Sequence, residues 1–179
     1  SNVAKTLDYF EEDNEYLIEE FCPGLDLGKV LKDHVPYFDP LFAAFIFHRL
    51  AKGVAASHHV DVVHRDLKPS NIMAIGGADL IDFKITDFGI AKLAEGELEA
   101  AIEGGEETIT SSGTALGAIP YMSPEMIEDF KSASKPTDVW SLGAILYELL
   151  SGKRPFCSNL RAIRIIGSGQ PPSRPLQIS

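Results

Sequence analysis

Residues 139–150 read VWSLGAILYELL, an apolar run broken only by Ser141, Gly143 and Glu148 besides its Tyr147. A helix that is apolar on nearly all sides has no face to give to water. It must therefore lie in the centre of a domain, with other elements packed around it. Thr137 or Asp138 is placed to cap this helix, Gly152 stops it, and Pro155 prevents its resumption. At 179 residues the length prior favours one domain. Such a chain buries about 70% of its unfolded surface, enough for a core that needs no disulfide or metal.

The rest of the chain supplies elements to surround that helix. Tyr16–Phe21 (YLIEEF) reads as a short strand, broken by Cys22-Pro23-Gly24. Leu25–His34 reads as a short helix. Asp39 is an N-cap with Pro40 at the first helical position, opening a long helix to about His58. Along it Leu41, Phe45, Leu50 and Val54 recur at roughly helical spacing, and Ala and Gly allow close packing. Ile72–Ile75 and Ile81–Ile85, joined by Gly76-Gly77-Ala78-Asp79, carry a hairpin pattern. Glu95–Gly117 is rich in Glu, Gly, Ser and Thr and reads as a long surface loop of the kind that is usually functional. The tail Gly167–Ser179, with three prolines, has no core of its own, and there is no internal repeat.

Charge narrows the function classes. The formal net charge is −10, from 26 acidic and 16 basic residues, which counts against a nucleic-acid binder. Much of the acid, at Glu11–Glu20 and Glu95–Glu107, reads as solvated surface. No apolar run approaches a membrane span, and Ser1 opens no signal-peptide pattern. The only cysteines, Cys22 and Cys157, lie far apart without metal-ligand spacing. That points to a reducing compartment, the cytoplasm, rather than to a secreted disulfide scaffold. His58 and His59 have no matching Cys/His partner set and are not read as a metal site.

Residues 62–73 (VVHRDLKPSNIM) set His64, Arg65, Asp66, Lys68 and Asn71 between apolar flanks. These polar residues call for water, partners or a substrate. Three further blocks follow in order: Asp87-Phe88-Gly89, Met122–Glu125 (MSPE) and Asp138–Gly143 (DVWSLG). With HRDLKPSN at 64–71, and joined by helix, hairpin, loop and helix, these blocks make the chain resemble the protein kinases, specifically serine/threonine kinases. The resemblance implies an α+β, protein-kinase-like fold: a mainly α-helical large lobe over 22–179 and a short remnant of the small-lobe sheet with the start of the hinge at 1–21.

The resemblance also implies roles. Phosphoryl transfer demands positioning and neutralisation of phosphate charge more than covalent catalysis. Asp66 matches the acid that accepts the substrate hydroxyl proton, and Lys68 matches the lysine that steadies the γ-phosphate. Asn71 and Asp87 match the oxygen ligands of Mg2+ (or Mn2+), so the cofactors implied are ATP and that metal. Glu20 and Cys22 fall in the adenine-contacting hinge, with Glu19 at the gatekeeper position, where an acid is unusual. Asp82-Phe83-Lys84 imitates the metal motif, but Lys84 lacks glycine's conformational freedom, so Asp82 is assigned to the second hairpin strand. Lys68-Pro69 points to Ser or Thr as acceptor. Arg65 matches the arginine that pairs with a phosphate on the activation loop. Thr108, Thr110, Ser111, Ser112 and Thr114 are candidate acceptors, with Thr110 and Ser112 best placed. Asp138 fits the acid that ties back to the catalytic loop. The partners implied are a protein with a Ser/Thr acceptor and a second copy of the chain for autophosphorylation. Asp87–Lys92 (DFGIAK) and the Thr/Ser-Gly loop resemble bacterial members somewhat more than eukaryotic ones.

Two departures stand out. The family's Gly-Thr pair before the Pro-Glu falls on Gly117-Ala118, and Ala118 cannot hydrogen-bond Asp66 and Lys68. Gly113-Thr114 has the right letters four residues too early. In addition, the glycine-rich loop, the strand lysine and its helix glutamate do not appear. Val3-Ala4-Lys5 is too close to the hinge, and Gly167-Ser168-Gly169 is trailed by Pro171-Pro172. No arginine stands where Glu125's partner is expected. The chain is thus expected to cover part of a kinase domain, to be catalytically weak or silent alone, and to expose core where other pieces would dock. A pseudokinase-like binding module and a kinase-fold small-molecule phosphotransferase are the alternatives. The first is favoured by Ala118 and Glu19. The second is disfavoured by Lys68-Pro69, the MSPE block and the long loop.

Overall fold

In the computed structural model of the chain, residues 1–13, 15–77, 80–88, 117–156 and 160–169 are described. Two helices carry the core. The first, α2, spans Pro40–His59 and begins where the sequence predicts: Asp39 accepts a hydrogen bond from the Leu41 N–H at 2.9 Å, with Pro40 in the first turn. It follows a shorter α1 (Leu27–Lys29) that runs on as a π-helical turn over Val30–His34. The predicted α2 core face needs one correction. Leu50 and Val54 are buried, but Leu41 is 84% exposed, and the buried stripe is Ala43, Ile46, Leu50, Gly53, Val54 and Ser57. Leu41 lies about 200° round the helix from Ala43, so the same 3.6-residue period that buries one exposes the other. At Gly53 a Cβ would come 2.9 Å from the Asn2 carbonyl oxygen and 3.0 Å from Ile85, so α2 meets the N-terminal segment at backbone contact.

The central helix, named α4 here, spans Lys135–Ser151. Its N-cap is Ser134, with Pro136 in the first turn, so neither Thr137 nor Asp138 caps it. Instead the Ser134 N–H donates to Thr137 Oγ1 at 3.1 Å, and both Thr137 and Asp138 are fully buried. Gly152 ends the helix in the left-handed region at φ 66°, and a Cβ there would meet the Pro36 carbonyl oxygen at 2.1 Å. Ser141, Leu142, Ala144, Ile145 and Leu149 are buried. The expectation of burial all round is corrected by Val139, 61% exposed, and Gly143 one turn on, which form a solvent-facing stripe.

Two small sheets complete this mainly α-helical α+β fold. β1 (Thr6–Glu11) and β2 (Glu15–Glu19) form an antiparallel ribbon with Tyr9 opposite Leu17 and Phe10 opposite Tyr16. The strand predicted at Tyr16–Phe21 therefore ends two residues earlier. The ribbon is apolar yet open: Leu7, Tyr9, Tyr16, Leu17 and Ile18 are each at least 40% exposed. In the second sheet, β3 (Gly24–Asp26), β4 (Ile72–Gly77) and β5 (Leu80–Ile85) lie antiparallel in that order, with Ile72 opposite Ile85. β4 and β5 form the predicted hairpin. β3 claims the start of the predicted Leu25–His34 helix, because Gly24–Asp26 pair with β4 before the chain can coil.

One core joins these parts, with Leu27, Ile46, Leu50, Leu67, Ile72, Ile85, Ile145 and Leu149 buried between α2, α4 and the second sheet. A smaller cluster of Ala118, Ile119, Met122, Met126, Phe130, Phe156 and Ile166 links α3 (Pro124–Glu128) to α5 (Leu160–Gly167). Among the described residues no helix is long and apolar enough to cross a membrane. Gly117 alone of the predicted Glu95–Gly117 loop is described, and the tail beyond Gly169 lies outside the described residues.

Candidate active site

The segment between α2 and β4 contains no regular element until the 3-10 turn Pro69–Asn71, so something else must hold it. That anchor is Asp138 on α4. Its Oδ2 accepts the His64 N–H and its Oδ1 the Arg65 N–H, each at 2.9 Å, while His58 Nε2 lies 2.7 Å from Oδ2. Arg65 is thereby held at φ 68°. A left-handed non-glycine residue costs about 1–2 kcal/mol, and the two charge-assisted hydrogen bonds to Asp138 can offset it. The tie from Asp138 to the loop is the one the sequence resemblance implies.

His64 departs from the sequence expectation. It does not reach water or a substrate but is fully buried. Its Nε2–H donates to the Thr86 carbonyl at 3.0 Å, and its Nδ1 accepts the Asp66 N–H at 3.3 Å. The ring lies 4.5 Å from that of Phe88, centroid to centroid. Burial holds its pKa below the ordinary histidine value, and the two hydrogen bonds require the neutral ring.

With the backbone so fixed, Asp66, Lys68 and Asn71 converge. Lys68 Nζ lies 2.7 Å from Asp66 Oδ2. Asn71 Nδ2 donates to the Asp66 carbonyl at 2.9 Å and to its Oδ2 at 3.2 Å. The Asp66 and Lys68 side chains are 27% and 12% exposed, so the pair is recessed but open to a ligand. The Asn71 amide nitrogen thus serves Asp66 twice, while among the described residues its Oδ1 has a long 3.5 Å contact from Ser70.

Thr86 connects this cluster to Asp87. Its N–H donates to the Asn71 carbonyl at 2.9 Å, and its hydroxyl stands 3.2 Å from Asp87 Oδ2. Asp87 sits at φ 63°, and its N–H donates to Glu19 Oε2 at 3.2 Å. Burial raises the Glu19 pKa, the Asp87 N–H opposes that shift, and the Asp87 charge adds to it. Asp82 is elsewhere. It lies on β5, accepting from Asn2 Nδ2 and the Phe83 N–H at 2.9 Å, with Arg49 at 3.5 Å. Gly89 lies outside the described residues.

Beside the cluster, the segment after β2 carries Glu20 and Cys22. The Glu20 N–H donates to the Lys5 carbonyl at 2.9 Å, and its carboxylate pairs with Lys84, which holds its pKa below the usual range. Cys22 is buried, which pushes its thiol pKa up, while Phe21 is 89% exposed. Among the described residues no backbone hydrogen bond takes the Cys22 N–H. Ala118 is buried with Ile119 and Met122 and brings no hydroxyl to Asp66 or Lys68. Arg65 Nε is buried without a partner among the described residues, and its predicted phosphate donors Thr110 and Ser112 lie outside them.

The donor chemistry suits a hard divalent cation. Asp87 offers carboxylate oxygens and Asn71 its amide oxygen. Among the described residues no cluster of three or more His, Cys, Asp or Glu forms a full cage. Carboxylate and amide oxygens are hard donors of the type that magnesium or manganese takes. Sequence reasoning missed Thr86 and the structural roles of His64 and Phe88. The one available signal was their adjacency to Asp66 and Asp87.

A protein-family model described as "Protein kinase domain" matches residues 1–169. A calcium/calmodulin-dependent serine/threonine-protein kinase of Malus domestica is 34% identical over 173 residues, covering 94% of this chain and 38% of the relative. Serine/threonine-protein kinase PrkC of Bacillus subtilis (strain 168) is 33% identical over 156 residues, covering 87% and 22% respectively. The chain thus spans well under half the length of either. The structure of Rad53 residues 1–466 in complex with AMP-PNP superposes with a TM-score of 0.69 at 26% identity, covering 94% of this chain and 39% of that one. The family match runs unbroken through the anchored loop, the Asp87 turn and the central helix, and so this chain belongs to the protein kinase domain family.

Proposed function

We propose that these residues form the ATP-dependent phosphoryl-transfer site of a serine/threonine protein kinase. The observation that carries this reading is the contact of Lys68 with the Asp66 carboxylate at 2.7 Å, with Asn71 bonded to the same oxygen. Asp66 takes the proton of a Ser or Thr hydroxyl as that oxygen bonds to the γ-phosphorus of ATP. The bond to the β–γ bridging oxygen breaks, and ADP leaves. Lys68 balances the charge that gathers on the transferring group. Asn71 and Asp87 would hold Mg2+, or Mn2+, through their oxygens, and Glu20 and Cys22 would meet the adenine through backbone groups. Bound metal supplies neutralisation of the phosphate oxygens. A site that consumes ATP also agrees with a cytoplasmic location.

Arg65 supports a regulatory reading. An arginine Nε buried without a partner among the described residues suits a phosphate acquired at Thr110 or Ser112, delivered by a second copy of the chain in a homodimer.

Transfer of γ-labelled phosphate from Mg-ATP to a Ser/Thr protein by the full-length protein tests this. Asp66→Asn is expected to lower turnover by about 10²–10⁴-fold, the usual worth of a positioned base. Turnover that survives the substitution unchanged overturns the reading. One feature favours a binding module instead: by its spacing from Pro124-Glu125, Ala118 occupies the family's Thr position and brings no hydroxyl. Mg-ATP that raises Tm without any turnover selects that alternative.

A further inference from the structure

Next to the Asp66–Lys68 pair lies a groove of about 460 Å3 bounded by α1, the π-helical turn after it, the 3-10 turn at Pro69 and the C-terminal end of α4. Its charged lining is uneven. Four cations, Lys29, Lys32, Lys68 and Arg154, face two carboxylates, Asp26 and Glu148. The carboxylates are recessed and already engaged. Asp26 is 15% exposed, accepts the Lys29 N–H at 2.9 Å and lies 3.1 Å from Lys29 Nζ. Glu148 is 13% exposed, accepts the Tyr121 hydroxyl and lies 3.8 Å from Arg154 Nε. Three of the cations stand outward, Lys29 at 66% and Arg154 at 50% exposure with Lys32 exposed, whereas Lys68 is recessed and paired with Asp66. Burial raises the Glu148 pKa, while the Tyr121 hydroxyl and Arg154 oppose that shift. A ligand entering here meets positive charge, on a chain whose net charge is −10.

Complementarity of this kind selects partners and sets encounter rates more than it sets raw affinity. The chain's own sequence contains a matching segment. Glu103, Glu106 and Glu107 immediately precede Thr108, Thr110, Ser111 and Ser112. We propose that the groove binds an acidic stretch flanking the acceptor Ser or Thr of a protein substrate, of the kind carried at 103–112 by a second copy of this chain. The inference rests on the kinase reading of Asp66 and names the substrate class for that site. Lys29 and Lys32 are specificity residues here, with no part in the chemical step.

The test uses the full-length protein and two labelled peptides: the 103–114 sequence, EGGEETITSSGT, and the same peptide with its three Glu changed to Gln. Fluorescence anisotropy reads binding, and phosphate transfer reads KM and kcat. The acidic peptide is expected to bind about fivefold to tenfold more tightly, since each exposed charge pair is worth a fraction of a kcal/mol and 1.4 kcal/mol is tenfold. Lys29→Glu with Lys32→Glu should abolish that preference by raising KM for the acidic peptide, leaving kcat and the KM for ATP unchanged. Should the double variant fail to fold by Tm, Lys32→Gln alone, at an exposed side chain, must still reduce the preference. Equal binding of the two peptides, or a preference that persists in these variants, overturns the groove assignment. Transfer to both peptides without preference does the same and leaves the kinase reading intact, whereas charge-selective binding without transfer upholds the groove and removes the kinase reading.

Discussion

A buried histidine that must stay neutral ties the stability of this site to pH. His64 has no exposed surface, donates from Nε2 to the Thr86 carbonyl and accepts at Nδ1 from the Asp66 N–H. Its folded pKa lies below the ordinary 6.5. Above that ordinary value the ring is neutral in both states, and its contribution is fully present. As pH falls below 6.5 the unfolded chain binds a proton that the folded chain refuses, so stability is lost progressively until the folded pKa is reached. The expected outcome is a Tm that drops between pH 7 and 5, with a distinctly shallower slope in His64→Phe. The phenylalanine variant loses two hydrogen bonds, so its Tm is lower throughout. The slope, followed by circular dichroism melts across that range, is the readout, and equal slopes would show that His64 is not the group responsible.

At the scale of elements, the segment at 64–71 has little structure of its own and borrows its shape from α4 through one carboxylate. Asp138 is fully buried and accepts two backbone N–H groups besides its contact with His58. Asp138→Ala would leave the His64 and Arg65 N–H groups without acceptors in the interior, at about 1–3 kcal/mol each. Urea unfolding should therefore show a loss of about 2–5 kcal/mol, close to the usual cost of breaking a buried charged network. Asp138→Asn keeps one oxygen and should lose less. An alanine variant as stable as the parent would mean that the loop is held by Leu67 and the Pro69 turn instead. This clamp was legible through the family resemblance of the DVWSLG block, which implies an acid at 138 tied back to the loop. The helix start was not. Ser134, Thr137 and Asp138 are all good caps, and the choice of Ser134 follows from burial of Thr137 and Asp138 inside the helix, with Pro136 in its first turn. The Leu41 error has a similar cause. Several apolar residues on α2 fit a helical period, and which period is buried depends on where β5 and the N-terminal segment lie. Asp66, Lys68, Asn71 and Asp87 could be read as one group from their blocks. The hydrogen bond from the Asp87 N–H to Glu19 could not, since it joins residues 68 apart through a side chain that no local pattern aims.

For the molecule as a whole, stability is unevenly distributed. The α2–α4 core encloses side chains with no exposed surface, among them Ile46, Leu50, Ile145 and Leu149. The β1–β2 ribbon has exposed residues along every position of β1, and its two strands pair with each other and not with the second sheet. It is tied to the rest by the Ala4 N–H to the Ile85 carbonyl at 2.8 Å, the Glu20–Lys84 pair and the Glu19–Asp87 bond. A two-stranded ribbon is marginal by itself in water, and local opening free energies range from near zero to the full unfolding value. Hydrogen exchange on the 179-residue chain should therefore show ribbon amides opening more than about 100-fold faster than those of α4, a gap of at least about 2.8 kcal/mol. The Asp87 amide should fall between them, because its partner Glu19 belongs to the ribbon while Thr86, its neighbour, is bonded to the core side at Asn71. If ribbon and α4 amides exchange together, the ribbon is part of one cooperative unit, and the Asp87 turn is then held as firmly as the loop at 64–71.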